Sequence, residues 1–217
     1  QYSNVTVGTA LAEINKILNT TQSSLIAHGD TVVVNRHTCT GFYIELDSLT
    51  GNALSLTAGY IIFDHKMFQY LFNLLDEKRT SWVFDFLALH EYAHQLQDVK
   101  INKEVRKTLL GLQSSKTPEL SADCVAGALI ALMNKDLPND LYTVSINGVL
   151  GAAESLGDFD LESANHHGTP QEREQAVAYG AHLVRSSKIG LLIGSFIPTS
   201  ATLINECNDY VKANLSL

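Results

Sequence analysis

Cysteine is scarce in this sequence, with three residues in 217: Cys39, Cys124 and Cys207. Three are too few for a disulfide scaffold, and none is paired at a metal-binding spacing, which excludes a thiolate-rich zinc site. One disulfide with a free thiol, or three reduced thiols, both fit the count. Cys124 reads as a small buried hydrophobe rather than a catalytic thiol. Positive charge is also in deficit, with 15 Lys and Arg against 23 Asp and Glu and a net charge of -8. No basic stripe with interleaved aromatics offsets it, so nucleic acid and anionic membrane are not expected partners. Long apolar runs are missing too. The longest, Ala122 to Met133 and Ile189 to Ile197, are too short to cross a bilayer, so no transmembrane segment is expected. The first of them reads as a buried helix. An initiator Met is absent at Gln1, so an upstream part is expected to have been removed, whether a signal peptide, an anchor or the rest of a longer chain. A secreted, periplasmic or cell-envelope location is slightly favoured over the cytoplasm. Neither repeats nor low-complexity tracts occur. Asn4, Asn19 and Asn214 head glycosylation-type triplets of a kind that is common by chance.

What is present is ordinary for a soluble globular chain: 45% hydrophobic and 18% charged residues, with enough length for one substantial core. A single domain over residues 1–217 is expected. It divides into a helix and small sheet (1–80), a run of helices that carries the candidate site residues (81–190) and a C-terminal tail (191–217). Apolar residues recur at helical spacing from Val7 to Leu25. Short β-rich runs follow at Thr31–Asn35, Phe42–Leu46, Ala53–Thr57 and Tyr60–Phe63, which predict a small, mostly antiparallel N-terminal sheet. Helices are predicted over Lys66–Glu77, Ser81–Asp98, from Pro118 to about Asn134, Leu141–Leu156, Thr169–Ser186 and Leu203–Ala213. A short helix and a connecting loop fill Val99–Thr117, and Gly157–Gly168 reads as a loop. Thr169-Pro170-Gln171-Glu172 is a strong helix start, with a capping threonine, a first-turn proline and an acid near the positive end. The fold class is therefore α+β, mainly helical.

His90-Glu91-Tyr92-Ala93-His94 lies in the helix over Ser81–Asp98, and Glu119 and Asp123 lie in the next strong helical pattern. Positions i and i+4 share a helix face, so the two imidazoles aim at one point and the two carboxylates at another. Two imidazoles and one carboxylate with an open position make a catalytic zinc site, one Zn2+ per chain. Glu91 fits the general base that would act on water activated by that metal. The flank Trp82 to Leu89 is almost wholly apolar, so this helix is expected to be buried. Buried charge needs a partner, and a metal is one. Tyr92 reads as packing, and His28, His37, His65 and His182 have no partner at ligand spacing.

Three stretches, His90 to Gln97, Glu119 to Gly127 and His167 to Arg173, together with Ala152 to Asp158, resemble the bacterial neutral zinc metallopeptidase family in order and spacing. The likeness runs from about residue 36 to 185 and is strongest after Ser81. It implies a zincin-like fold of the gluzincin type, with an active-site helix bundle, Glu119 as third metal ligand and Asp123 as its companion behind the ligands. The third stretch is similar to the histidine and arginine element of HtpX-like membrane proteases, which carry proline where this chain has Gly168.

Physical roles follow for each residue. Asp123 is placed to accept the spare N–H of a ligand histidine and fix its tautomer. Arg173 would hold Glu119 or the preceding loop by a bidentate pair. An oxyanion donor is needed opposite Glu91, and His167 is the first candidate, with Tyr179 behind it; a latch of His167 on the zinc is the competing role. The expected activity is a zinc metalloendopeptidase acting on peptides or unfolded proteins. The expected substrate pose is an added strand along an edge near Gly59–Asp64. The alternative is a non-proteolytic zinc-binding regulatory or assembly module. Nothing in the sequence fixes the oligomeric state.

Overall fold

The helix that carries the carboxylates is buried on every side. In the computed structural model, which describes residues 7–27, 40–44, 53–56, 60–64, 66, 77–100, 116–157, 167–185 and 200–215, this helix runs Lys116–Met133, and every residue from Leu120 to Leu132 is buried. A sequence that is apolar all round a helix has to be covered all round. Six helices and three strands are described in order: α1 (Val7–Ala27), β1 (Thr40–Ile44), β2 (Ala53–Leu56), β3 (Tyr60–Asp64), α2 (Glu77–Lys100), α3 (Lys116–Met133), α4 (Asn139–Ser155), α5 (Pro170–Arg185) and α6 (Ser200–Asn214). The protein is mainly helical. Packed against α3 are α2, α5 and α6, while α4 bridges α2 and α5 and α1 lies on α2.

The α3–α5 crossing is close because two glycines allow it. A Cβ on Gly180 would run into the carbonyl oxygen of Cys124, and one on Gly127 into the carbonyl of Val177. This proximity brings the start of α5, and with it Arg173, against the ligand face of α3. On its other side α3 is fastened to α6 by a disulfide between Cys124 and Cys207, two fully buried cysteines 83 positions apart. The sequence left that pairing open.

The three described strands form one sheet in the order β1-β3-β2. Here the expectation of a mostly antiparallel sheet is corrected: β2 pairs antiparallel with β3, but β1 pairs parallel with it, Gly41 opposite Ile61. β3 is therefore central, which also removes the edge expected near Gly59–Asp64. The reason is legible afterwards in its composition. Tyr60-Ile61-Ile62-Phe63 is a continuous apolar run of the kind found in covered central strands, and Ile61 and Phe63 are wholly buried. The outer edge of β1 is met by α1. Asn15 accepts from Gly41 N–H at 2.9 Å and donates its amide to Gly41 O at 3.2 Å, taking the place of a neighbouring strand.

Helix bounds agree with the sequence reading to within a few residues, with α2 extended to Glu77–Lys100. The expected cap of α5 is present: Thr169 N–H donates to Glu172 at 3.0 Å and Glu172 N–H to the Thr169 hydroxyl at 3.3 Å. The strand expected over Thr31–Asn35, most of the helix over Lys66–Glu77, most of Val99–Thr117, and Cys39 lie outside the described residues. Among the described residues no helix is long and apolar enough to cross a membrane.

Candidate metal centre

His90 and His94 stand one turn apart on α2, their rings perpendicular with centroids 4.8 Å apart. Their Nε2 atoms lie 3.2 Å from each other. Glu119 on α3 closes the triangle, with Oε2 at 3.1 Å from His90 Nε2 and Oε1 at 3.3 Å from His94 Nε2.

The tautomers decide what this triangle is. His90 Nδ1 is 2.7 Å from Asp123 Oδ1. A carboxylate accepts only, so that nitrogen carries hydrogen. His94 Nδ1 is 2.9 Å from Gln97 Oε1. The Gln97 amide is oriented by its own N–H bond to Pro118 O at 3.3 Å, so its oxygen faces His94 and His94 Nδ1 also carries the hydrogen. Neutral imidazoles so held direct the Nε2 lone pairs of both rings, and a carboxylate, at a common point. Three acceptors with nothing positive between them repel, so the pocket calls for a cation, either protons or a metal. The separations fit a metal. Ligands about 2.0–2.1 Å from a tetrahedral zinc lie about 3.4 Å from one another, and His90, His94 and Glu119 are the described group whose ligand atoms meet within 4.8 Å.

The electrostatics carry the same message. Burial alone would lower the pKa of His90, but Asp123 and then Glu119 outweigh it and raise it to about 10. His94 is raised as well, because contact with Glu119 overcomes its burial. Glu119, against the cost of burial, is held well below the usual carboxylate range by hydrogen bonds from His167, His90 and His94. In the metal-free protein, protons occupy the place that a cation would take.

Glu91 follows His90 and is 7% exposed. Burial raises its carboxyl above the ordinary range despite His94 and His90, and Glu119 and His167 are its other charged neighbours. It therefore belongs to the same cluster as the candidate ligands.

Behind the imidazoles the site is closed by Arg173, buried on α5. Its Nε donates to Asp123 Oδ2 and its Nη2 to Asp123 Oδ1, both at 2.8 Å, while Nη1 donates to Leu156 O at 3.0 Å. The guanidinium also lies 5.7 Å from the ring centroid of Phe86 on α2. Against its burial, Arg173 and then His90 keep Asp123 below the usual carboxylate range. The bidentate partner of Arg173 is thus Asp123 rather than Glu119, because α5 approaches α3 one turn beyond Glu119. The contact with Leu156 O ties the start of α5 to the end of α4.

His167 reaches the centre from the rim, with Nδ1 at 3.0 Å from Glu119 Oε2 and its side chain 44% exposed. Tyr179 is elsewhere: its ring stacks on Tyr210 of α6 at 3.7 Å, and its charged neighbours are Glu206 and Asp209. Two contributors had no role in the sequence reading. Gln97 orients His94, and its position three residues after that histidine is a helical-face signal that points to it. Lys116, which pairs with Glu172 at 2.6 Å, joins the starts of α3 and α5, and no spacing rule links residues so far apart. His166 lies outside the described residues.

Compared with family models, curated proteins and solved structures, the chain matches none.

Proposed function

We propose that this protein is a zinc-dependent metalloendopeptidase with a zincin-like arrangement of its helices. The observation that carries the reading is the convergence of two imidazole Nε2 atoms and one carboxylate, 3.1 to 3.3 Å apart, beside a buried Glu91. His90, His94 and Glu119 would hold one Zn2+, which when bound supplies Lewis-acid polarisation of the scissile carbonyl and of water. Glu91, whose raised pKa brings proton uptake closer to neutrality, accepts the proton of the attacking water. It then returns that proton to the nitrogen of the leaving amine. Asp123 holds the His90 tautomer, and Gln97 that of His94, so both Nε2 lone pairs stay aimed at the centre.

Peptides and unfolded protein segments are the substrates this chemistry fits. Strand addition cannot use β3, which pairs with β1 on one side and β2 on the other. The Cys124–Cys207 disulfide favours an oxidising compartment, in keeping with a secreted or periplasmic location. A zinc-binding regulatory or assembly module remains the second reading. It is less favoured because a metal scaffold has no need of a buried acid at position 91. The deciding experiment measures zinc stoichiometry and peptide hydrolysis for the parent and for Glu91→Gln. The variant is expected to keep one zinc and lose hydrolysis by about a hundredfold to ten-thousandfold. Zinc without hydrolysis in the parent selects the second reading.

A further inference from the structure

His167 was expected at the reacting centre or on the metal, yet the structure sets it on a ligand. Its Nδ1 is 3.0 Å from Glu119 Oε2. The carboxylate accepts, so Nδ1 carries the hydrogen. Three features hold the residue there. Gly168 has φ +110°, a region side chains rarely adopt, and a Cβ there would meet Leu120 Cδ2 at 2.7 Å. The turn therefore lies directly on the residue after Glu119. Glu172, which caps α5 through Thr169 N–H, also pairs with Lys116 at 2.6 Å, three positions before Glu119. Arg173 then ties the same helix start to Asp123 and to Leu156 O. The strap from His167 to Arg173 is thus fastened to α3 on both sides of the third ligand.

We infer that His167 is a positioning residue for that ligand, its Nδ1–H orienting the Glu119 carboxylate toward His90 and His94. The inference rests on the metal site proposed above and assigns His167 a task distinct from oxyanion donor or zinc latch. A glutamate has three rotatable side-chain bonds, and Glu119 is partly open to solvent. Without an outer hydrogen bond its carboxylate rotates away from the triangle, and ordering it counts against metal binding.

The test is zinc affinity of the full chain, measured by competition with a chelating dye, for the parent and three variants. His167→Ala is expected to weaken zinc binding by about tenfold to a hundredfold. His167→Asn, which presents an N–H close to the Nδ1 position, is expected to recover most of it, and His167→Gln, whose N–H lies farther out, is not. The side chain is 44% exposed, so all three variants are expected to fold, and melting curves verify this. Parent affinity in His167→Ala overturns the positioning role alone. Equal losses in Ala, Asn and Gln also overturn it, since bulk rather than the N–H would then matter. Absence of zinc binding in the parent overturns it together with the peptidase reading.

Discussion

Glu119 and Asp123 stand one turn apart on the same face of α3 and both touch His90, yet their surroundings are opposite. Asp123 is wholly buried and held by a bidentate guanidinium as well as by the His90 ring. Glu119 keeps 16% of its side chain exposed and meets three imidazoles. One carboxylate closes the back of the site and the other forms its open front. The back is fixed by charge pairs that cannot be solvated. The front is partly open to solvent at Glu119 and at His167. An open front is what the proposed catalytic reading of the site, as opposed to a closed structural one, would need.

The largest expected effect comes from removing the front carboxylate. Glu119→Ala should lose stoichiometric zinc, its effect on metal binding exceeding its effect on the stability of the metal-free protein, as read by metal analysis and calorimetry. Full zinc retention would reassign the third ligand. Removing the back carboxylate should do the reverse. Asp123→Ala leaves the buried Arg173 without its counter-charge, so stability should fall by about 3–5 kcal/mol even without metal, as measured by urea unfolding. If Arg173→Leu added to Asp123→Ala does not restore part of that loss, the back is not held by this pair. Next in size, Cys124→Ser with Cys207→Ser should cost about 2–4 kcal/mol, again without removing the zinc ligands.

A pH series of the metal-free protein separates the two faces with a smaller effect. Asp123 has a depressed pKa, so its contribution is complete above the ordinary value of 3.8 and is lost as pH falls through its folded value. His90 is raised from 6.5 to about 10, so its contribution is complete below 6.5 and is lost as pH rises toward about 10. From this pair, stability should be greatest between 3.8 and 6.5. Zinc takes the place of the proton, so saturating zinc should abolish the alkaline decline. A decline that persists with zinc bound would place the metal away from His90.

Much of this division was legible in the sequence because it rests on helical repetition. His90 with His94, and Glu119 with Asp123, are four apart, and helix geometry alone puts each pair on one face. Thr169 and Glu172 announced the cap of α5 for the same local reason. What was not legible depends on how elements meet. The partner of Arg173 depends on the depth at which α5 crosses α3, set by Gly127 and Gly180. The parallel pairing of β1 with β3 is a long-range choice that the pattern of Phe42–Leu46 does not encode. Cys124 and Cys207 had no spacing to announce them, since only the packing of α6 on α3 brings them together.

The bridge between Cys124 and Cys207 also bears on how this protein would respond to cleavage. A cut at any one peptide bond between those residues, including cuts after α5, opens the chain without freeing a fragment. If the proposed peptidase activity acts on other copies of this chain there, the nicked molecule keeps its mass on a non-reducing gel and separates into two bands only after reduction. His90, Glu91, His94 and Glu119 would all remain on the N-terminal piece, with α6 still covalently attached to it through sulfur.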